Sequence, residues 1–289
     1  MTAQLSNQER AEVLIDALPY IQKYHNKIVV VKYGGNAMDS IQAKRDVMSD
    51  LVLLSLVGIK IVLVHGGGPE ITQMLEKVGK KSEFLDGLRV TDKETTEIAT
   101  MVLAGKVNKD LVSTIQTIGG RAVGISGMDG GLISAKFMDE RLGYVGDITE
   151  INPAPVLDLL SMGYIPVIST IGFDMDSNTY NINADTAASE IAAALEAESF
   201  ICMTDVVGVL KDPSDPSSLI PHLTLEDAQK CFDDGIISGG MIPKAQCCIN
   251  AVKKGVNRVF IIDGRTPHSV LIELLSNKGI GTMFTMQEV

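Results

Sequence analysis

The chain has no tryptophan, and aromatic residues fill only 4% of its 289 positions. A core must therefore be built from Val, Ile, Leu, Ala and Met rather than from stacked rings. Positive charge is also scarce: 25 Lys and Arg stand against 36 Asp and Glu, a net charge of −11. That balance excludes a broad basic surface for nucleic acid or an anionic membrane. Any bound phosphate must be held locally, by backbone amides and a few lysines. No apolar run reaches membrane-spanning length, and no signal-type apolar stretch opens the sequence, so the expectation is a cytoplasmic protein. The four cysteines (Cys202, Cys231, Cys247, Cys248) show no CxxC spacing, and two are neighbours. They read as buried, reduced thiols. Two phosphate motifs are missing as well: neither GxxxxGK[ST] nor G-x-G-x-x-G occurs, which sets aside a Walker-type loop and a dinucleotide fingerprint.

Alternation is what the sequence does have. Leu14, Leu18 and Ile21, with Ala11 a turn earlier, mark an amphipathic helix over residues 6–25, and Pro19 predicts a break within it. A first strand comes next at Lys27–Tyr33, then a helical stretch through Asp46, Leu51, Leu54 and Val57, then a strand over Ile59–Gly68 with Pro69 opening the next helix. Further strands are expected at Ala122–Ile125, Ile165–Ile168, Ser199–Thr204 and Arg258–Ile262, each beside a helical segment. Short Val/Ile runs alternating with helices imply an α/β fold: a three-layer α/β/α sandwich on an open, mainly parallel sheet, with ligands at the C-terminal strand ends. A length of 289 allows one large domain or two packed lobes, and a lobe boundary falls near 195.

The chemistry-bearing segments lie at those strand ends. Lys32-Tyr-Gly-Gly35 puts a cation beside bare amides, an anion-binding combination, although a solvated lysine before an ordinary turn would read the same. His65-Gly-Gly-Gly-Pro-Glu70 places three glycines before a helix N-terminus, where a substrate can touch backbone; His65 reads as orienting that turn. Arg89, between apolar neighbours in Asp86–Thr91, offers either a surface ion pair or a planar two-point grip on a carboxylate. Asn181–Ala188 opens an alanine-rich helix in which Asn183 or Asp185 could serve as N-cap, Asp185 could bridge two lysines and Asn181 could donate to a substrate. Gly239–Lys244 supplies a second lysine after glycines. Two lysines with amides between them meet the needs of phosphoryl transfer, and a carboxylate acceptor needs no general base.

Taken in order, K-Y-G-G, H-G-G-G-P-E, G-L-R-V-T, N-I-N-A-D and G-G-M-I-P-K closely resemble the N-acetylglutamate kinases, over about Lys27–Met283. The resemblance implies the amino-acid kinase fold, with an oligomerisation helix at 1–26, an N-acetyl-L-glutamate-binding lobe at 27–195 and an ATP-binding lobe at 196–289. It implies that Lys32 and Lys244 stabilise the transferring phosphoryl group, with Asp185 holding both. Gly34, Gly35 and Gly67 then donate amides, Gly67 and Gly68 line the acceptor site, and Arg89 and Asn181 bind the acceptor's α-carboxylate. Thr204, Asp205, Gly208, Leu210, Lys211, Ile236 and Ser238 contact ATP, whose Mg²⁺ is held mainly by the nucleotide phosphates and by no protein ligand.

Two departures stand beside that resemblance. The segment at 86 begins with Asp where the family form has Asn. Asn36 stands where Ala is usual and gives G-G-N, similar to carbamate kinases, the alternative within the fold. The run Ala17–Tyr20 and the tail pattern of His268, Glu273 and Gly279–Met283 are similar to the arginine-inhibited members. That similarity implies a hexamer (a trimer of dimers) and an arginine site at Tyr20, Lys211, His268, Glu273 and Gly281. The pattern looks similar to members controlled by the signalling protein PII too, and the plastid stroma is the alternative location to the cytoplasm. A non-catalytic arginine-sensing module is the competing reading from another class, and the intact Lys32, Asp185 and Lys244 weigh against it.

Overall fold

The computed structural model describes residues 6–35 and 40–287; Asn36 lies outside the described residues. The leading amphipathic stretch is two helices, α1 (Asn7–Asp16) and α2 (Leu18–Tyr24), interrupted at Ala17. Pro19 sits in the first turn of α2, where its missing N–H leaves no helical bond unmade. Ser6 and Glu9 close a reciprocal capping box on α1. Helix α1 buries none of its side chains, and Leu14 is 71% exposed.

The alternation then unfolds as β1 (Ile28–Tyr33), α3 (Ile41–Leu56), β2 (Lys60–His65) and α4 (Gly68–Lys77), with Pro69 one residue inside the helix rather than at its start. A two-residue hairpin joins β3 (Phe84–Leu85) and β4 (Leu88–Arg89) through Asp86 and Gly87, both at positive φ, the conformation that the tightest hairpin turn demands. Next come α5 (Lys93–Thr100), a π-helical segment at Met101–Val107 that continues directly into α6 (Asn108–Thr117), and β5 (Ala122–Ser126). Strands β6 (Ile133–Phe137) and β7 (Gly146–Ile151) precede α7 (Ala154–Ser161) and β8 (Ile165–Ser169). The remainder is β9 (Ile171–Phe173), β10 (Thr179–Asn181), α8 (Ala184–Ala194), β11 (Ser199–Thr204), β12 (His222–Thr224), α9 (Leu225–Asp233), α10 (Met241–Lys253), β13 (Arg258–Asp263), α11 (Ser269–Leu275) and β14 (Thr282–Thr285).

Eight strands form the main sheet in the order β12-β14-β13-β11-β1-β2-β8-β5, parallel throughout except where β14 meets β13. Along β1 the side chains alternate faces: Val30 joins the core beneath α7, α8, α9 and α10, while Val29 and Val31 join the core beneath α3, α4, α6 and α11. Both faces are covered, as the continuous apolar strands predict. Full burial of each such Val, Ile or Leu stabilises the fold by roughly 1.5–3 kcal/mol. A second sheet, β10-β9-β6-β7, packs on the α8 side. Among the described residues no helix is long and apolar enough to cross a membrane. Strands β1 and β11 are neighbours, so the segments before and after residue 195 contribute to one continuous sheet.

Candidate active site

The C-terminal ends of β1 and β2 lie side by side, with Tyr33 in register with His65. Both glycine turns therefore emerge at one point. A Cβ on Gly34 would stand 3.4 Å from Lys32 Nζ and 3.6 Å from the amide nitrogen of Gly66, and one on Gly66 would stand 3.3 Å from Ala184. Two turns and the start of α8 thus meet around the Lys32 ammonium. The first turns of α4 and α8 both border this point, and each adds the positive end of a helix dipole. Together they border an open-mouthed cavity of about 240 Å³.

Asp185 is the centre of charge. Its Oδ1 lies 2.8 Å from Lys32 Nζ and its Oδ2 lies 3.8 Å from Lys244 Nζ. The N-cap of α8 is Asn183, whose side-chain oxygen accepts from the amides of Asp185 and Thr186; this frees Asp185 for the lysines. Burial alone would pull the Lys32 pKa down, but the adjacent Asp185 carboxylate outweighs it and holds the ammonium above its ordinary value. Burial likewise works against the charged form of Asp185, and the two lysines reverse that and keep the carboxylate low. Two thiols complete the setting: Cys202 Sγ donates to Asp185 Oδ1 at 3.6 Å and Cys247 Sγ donates to the Asp185 carbonyl at 3.0 Å. Burial pushes the Cys247 thiol up to about 12, so it stays protonated as a donor. All four cysteines are free and buried.

Arg89 forms another wall. It is 7% exposed, and among the described residues no carboxylate pairs with it. Its guanidinium donates to the Gly68 carbonyl at 2.9 Å, to Thr72 Oγ1 at 2.8 Å and to Ser82 Oγ, and it stacks on the Phe84 ring at 4.8 Å. The surface ion pair is thereby ruled out for this residue. A buried cation held at its rim by neutral groups is a receptor for an anion. Asn181, at the end of β10, lines the same cavity, and its side-chain amide bonds no other described residue.

His65 ends β2, immediately before the second glycine turn. It is fully buried, its Nδ1 meets the Gly66 carbonyl at 2.9 Å, and burial holds its pKa down at about 4.

The structure thus brings Lys32, Gly34, Gly35, Gly67, Gly68, Arg89, Asn181 and Asp185 around one cavity, with Lys244 joined through Asp185. The residues expected at ATP lie apart from that cavity. Thr204 ends β11, next to β1, and its hydroxyl accepts from the Val206 amide at 3.0 Å. Asp205, Gly208, Leu210 and Lys211 come after it, with Leu210 bridged to Leu219. Ile236 and Ser238 precede α10, which carries Lys244 in its first turn.

The five residues expected at arginine divide. Tyr20, Glu273 and Gly281 line one cavity of about 590 Å³ between α2 and α11. Lys211 and His268 do not border it; His268 Nδ1 pairs with Asp50 Oδ1 of α3 at 2.7 Å.

Sequence reading missed Phe84, Leu103, Val145, Thr170 and Ile182, all of which line the active-site cavity. For Phe84 a signal was available: Asp-Gly between two short apolar pairs marks a hairpin, and the register puts Phe84 opposite Arg89. Leu103 had none, because it comes from the π-helical segment, which leaves no trace in periodicity.

Residues 27–263 match the amino acid kinase family. The chain is 54% identical over 282 residues to the acetylglutamate kinase of Clostridium beijerinckii, spanning 96% of this chain and 99% of that one. It is 55% identical over 278 residues to the acetylglutamate kinase of Clostridioides difficile, spanning 96% and 97%. In solved structures, the N-acetylglutamate synthase of Neisseria gonorrhoeae complexed with coenzyme A and N-acetyl-glutamate superposes with a TM-score of 0.83 at 24% identity. That match covers 96% of this chain but 64% of the synthase. The carbamate kinase of Giardia lamblia bound to AMP-PNP gives a TM-score of 0.67 at 17% identity over 91% and 99% of the two chains. At such identities these two likenesses concern the fold. The match over residues 27–263 and the near full-length relatives agree with the lysine–aspartate–lysine geometry, and the chain belongs to the amino acid kinase family as a kinase whose relatives are acetylglutamate kinases.

Proposed function

We propose that this chain transfers the γ-phosphoryl group of ATP to the γ-carboxylate of N-acetyl-L-glutamate, forming an acyl phosphate in amino-acid (arginine) biosynthesis in the cytoplasm. The observation that carries the reading is Asp185 spanning Lys32 and Lys244 beside a cavity in which buried Arg89 has no carboxylate partner among the described residues. Arg89 and Asn181 grip the α-carboxylate, and Gly67 and Gly68 seat the acyl chain, which points the γ-carboxylate at Lys32. A γ-carboxylate oxygen attacks the γ-phosphorus while the bond to the bridging β–γ oxygen breaks, and ADP departs. The Gly34, Gly35 and Gly67 amides and the two ammonium groups neutralise the oxygens on which charge accumulates. Asp185 keeps Lys32 charged and holds both ammonium groups in place. The attacking carboxylate is already ionised at neutral pH, so neutral His65 is not needed as a base.

ATP is placed along the β11 end by Thr204, Asp205, Gly208, Leu210, Lys211, Ile236 and Ser238, which makes 27–195 the acceptor lobe and 196–289 the nucleotide lobe. Mg²⁺ rides on the nucleotide phosphates in this reading; Asp185 is already engaged by two ammonium groups and is a poor further ligand. The test is formation of hydroxamate-trapped acyl phosphate with N-acetylglutamate, glutamate, aspartate and carbamate offered separately. Turnover confined to N-acetylglutamate supports the reading; turnover with carbamate alone would replace it by a carbamate kinase.

A second proposal rests on other observations. Tyr20, Glu273 and Gly281 border one cavity, and α1, which leads into the α2 that carries Tyr20, leaves Val13, Leu14 and Ile15 uncovered. An exposed apolar segment is covered by a partner, and interlaced α1 helices in a hexamer, with arginine in the Tyr20–Glu273 cavity as inhibitor, meet that need. Sedimentation of the full chain against a variant lacking residues 1–17, with and without arginine, tests both parts.

A further inference from the structure

One buried polar cluster borders the site without belonging to it. Asn108 opens α6 immediately after the π-helical segment, and it is completely buried. A π-turn takes an extra residue and rotates the helix beyond it, which here turns Asn108 toward the sheet. Its Nδ2 faces three acceptors on three adjacent parallel strands: the Val167 carbonyl at 2.8 Å, His65 Nε2 at 3.1 Å and the Ile125 carbonyl at 3.3 Å. Its Oδ1 accepts from Lys109 Nζ at 3.0 Å, and Lys109 Nζ also donates to the Gly124 carbonyl at 2.9 Å. The place is built for this side chain. A Cβ at Gly124 would stand 1.9 Å from Asn108 Oδ1, so only glycine leaves the amide room.

The two carbonyls and the lysine fix which way the amide points, because an oxygen turned toward Val167 and Ile125 would face two acceptors. The amide therefore donates to His65 Nε2, and Nε2 carries no proton. The ring proton sits on Nδ1 and is donated to the Gly66 carbonyl at 2.9 Å. All described peptide bonds are trans, so a Gly66 carbonyl held toward His65 turns the next N–H, that of Gly67, to the opposite side. Gly66, Gly67 and Gly68 line the cavity on that side.

We infer that Asn108 is a positioning residue for phosphoryl transfer: by holding His65 as the Nδ1–H tautomer it aims the Gly67 amide at the migrating phosphoryl oxygens. This deepens the kinase reading and rests on it for the identity of those oxygens. The charged group acting on His65 is Lys109 of α6, which opposes ring protonation, as burial does. An aspartate at 108 reverses the arrangement. It presents an oxygen to Nε2, favours the doubly protonated ring and sets a carboxylate oxygen against the two strand carbonyls.

The test uses the full chain with ¹⁵N-labelled histidine. In the wild type, the ring that vanishes in His65→Gln shows the neutral Nδ1–H pattern, unchanged from pH 8 to 5.5. Asn108→Asp lowers kcat at least tenfold, changes KM for ATP less, and adds an ionisation to the kcat profile between pH 6 and 9; Asn108→Ala lowers kcat without that ionisation. An Nε2–H ring in the wild type, or protonation above pH 5.5, overturns the proposal. So does an Asn108→Asp enzyme with wild-type kcat and a flat profile. If the wild type phosphorylates no acceptor, the kinase reading falls, while the tautomer still decides the role of Asn108.

Discussion

The two sides of the active-site strand ends are built differently. On the β1–β2 side, the residues read as binding the acceptor already line one cleft, with Arg89 anchored by three hydrogen-bond partners and a ring. On the β11 side, the residues read as binding ATP run along exposed loops, and only Thr204 and Gly208 among them are buried. The two lysines repeat the contrast: the Lys32 side chain is 8% exposed and 2.8 Å from Asp185, whereas that of Lys244 is 24% exposed and 3.8 Å away. A small dicarboxylate must be held rigidly to present one oxygen, and that favours a preformed pocket. A nucleotide brings its own size and charge, and loops can close on it.

Replacing Asp185 should give the largest effect, because it joins both sides. Asp185→Ala leaves Lys32 buried without its partner, a loss of about 3–5 kcal/mol in unfolding free energy, together with a fall in kcat of about 10²–10³-fold or more. Urea unfolding and the hydroxamate assay read these separately. Lys244→Ala should match the loss of kcat but change stability by less than about 1 kcal/mol, since its ion pair is longer and more open. Equal destabilisation by both changes would break the contrast between the sides.

Arg89→Lys keeps the charge but loses the planar fork. The expected result is a rise in KM for N-acetylglutamate of about 10²-fold, equivalent to about 3 kcal/mol, with KM for ATP nearly unchanged. A shift confined to ATP would mean that the two sides are assigned the wrong way round.

A smaller effect concerns the far cavity. Burial raises the pKa of Glu273, although its carboxylate accepts from the amides of Ile280 at 2.8 Å and Gly281 at 3.1 Å. Glu273→Gln keeps an acceptor for those amides and removes the charge. Arginine should then inhibit at least tenfold more weakly, with turnover in its absence unaltered; inhibition unchanged by the substitution would remove Glu273 from the regulatory reading.

The smallest effect asks whether burial alone explains these charges. Asp50 is wholly buried, and burial lifts its pKa to about 6 against the pull of His268; His268, in turn, is raised by its bond to Asp50. Both groups bind protons more tightly folded than unfolded. Their stabilisation is complete below their unfolded values and is lost as pH rises, through about 6 for Asp50 and above 6.5 for His268. Wild-type stability should therefore fall more steeply than that of Asp50→Asn between pH 5 and 8. Parallel curves from urea unfolding at four pH values would show that the pair does not titrate this way.

Much of this was legible in the residues themselves. The main parallel strands, the break just before Pro19 and the glycine turns after β1 and β2 come from apolar periodicity and from proline and glycine chemistry, which act locally. The small sheet of β6, β7, β9 and β10 was not foreseen, since its strands have three to six residues and mix polar with apolar positions. Asn183 and Asp185 were both candidates for the cap, and the structure divides them into a cap and a bridge.

The sequence by itself determined the layers and the kinds of group at each strand end, because side-chain type and backbone propensity are properties of short segments. Only the tertiary structure decided which of those groups meet. Lys32 and Lys244 lie far apart in the chain and share a carboxylate through the order of strands in the sheet. Asn108 reaches His65 across three strands because a π-turn, invisible in the pattern of residues, sets its direction. His268 turned to Asp50 rather than to the Tyr20–Glu273 cavity for the same reason: contacts between distant segments depend on packing, and no local pattern encodes them.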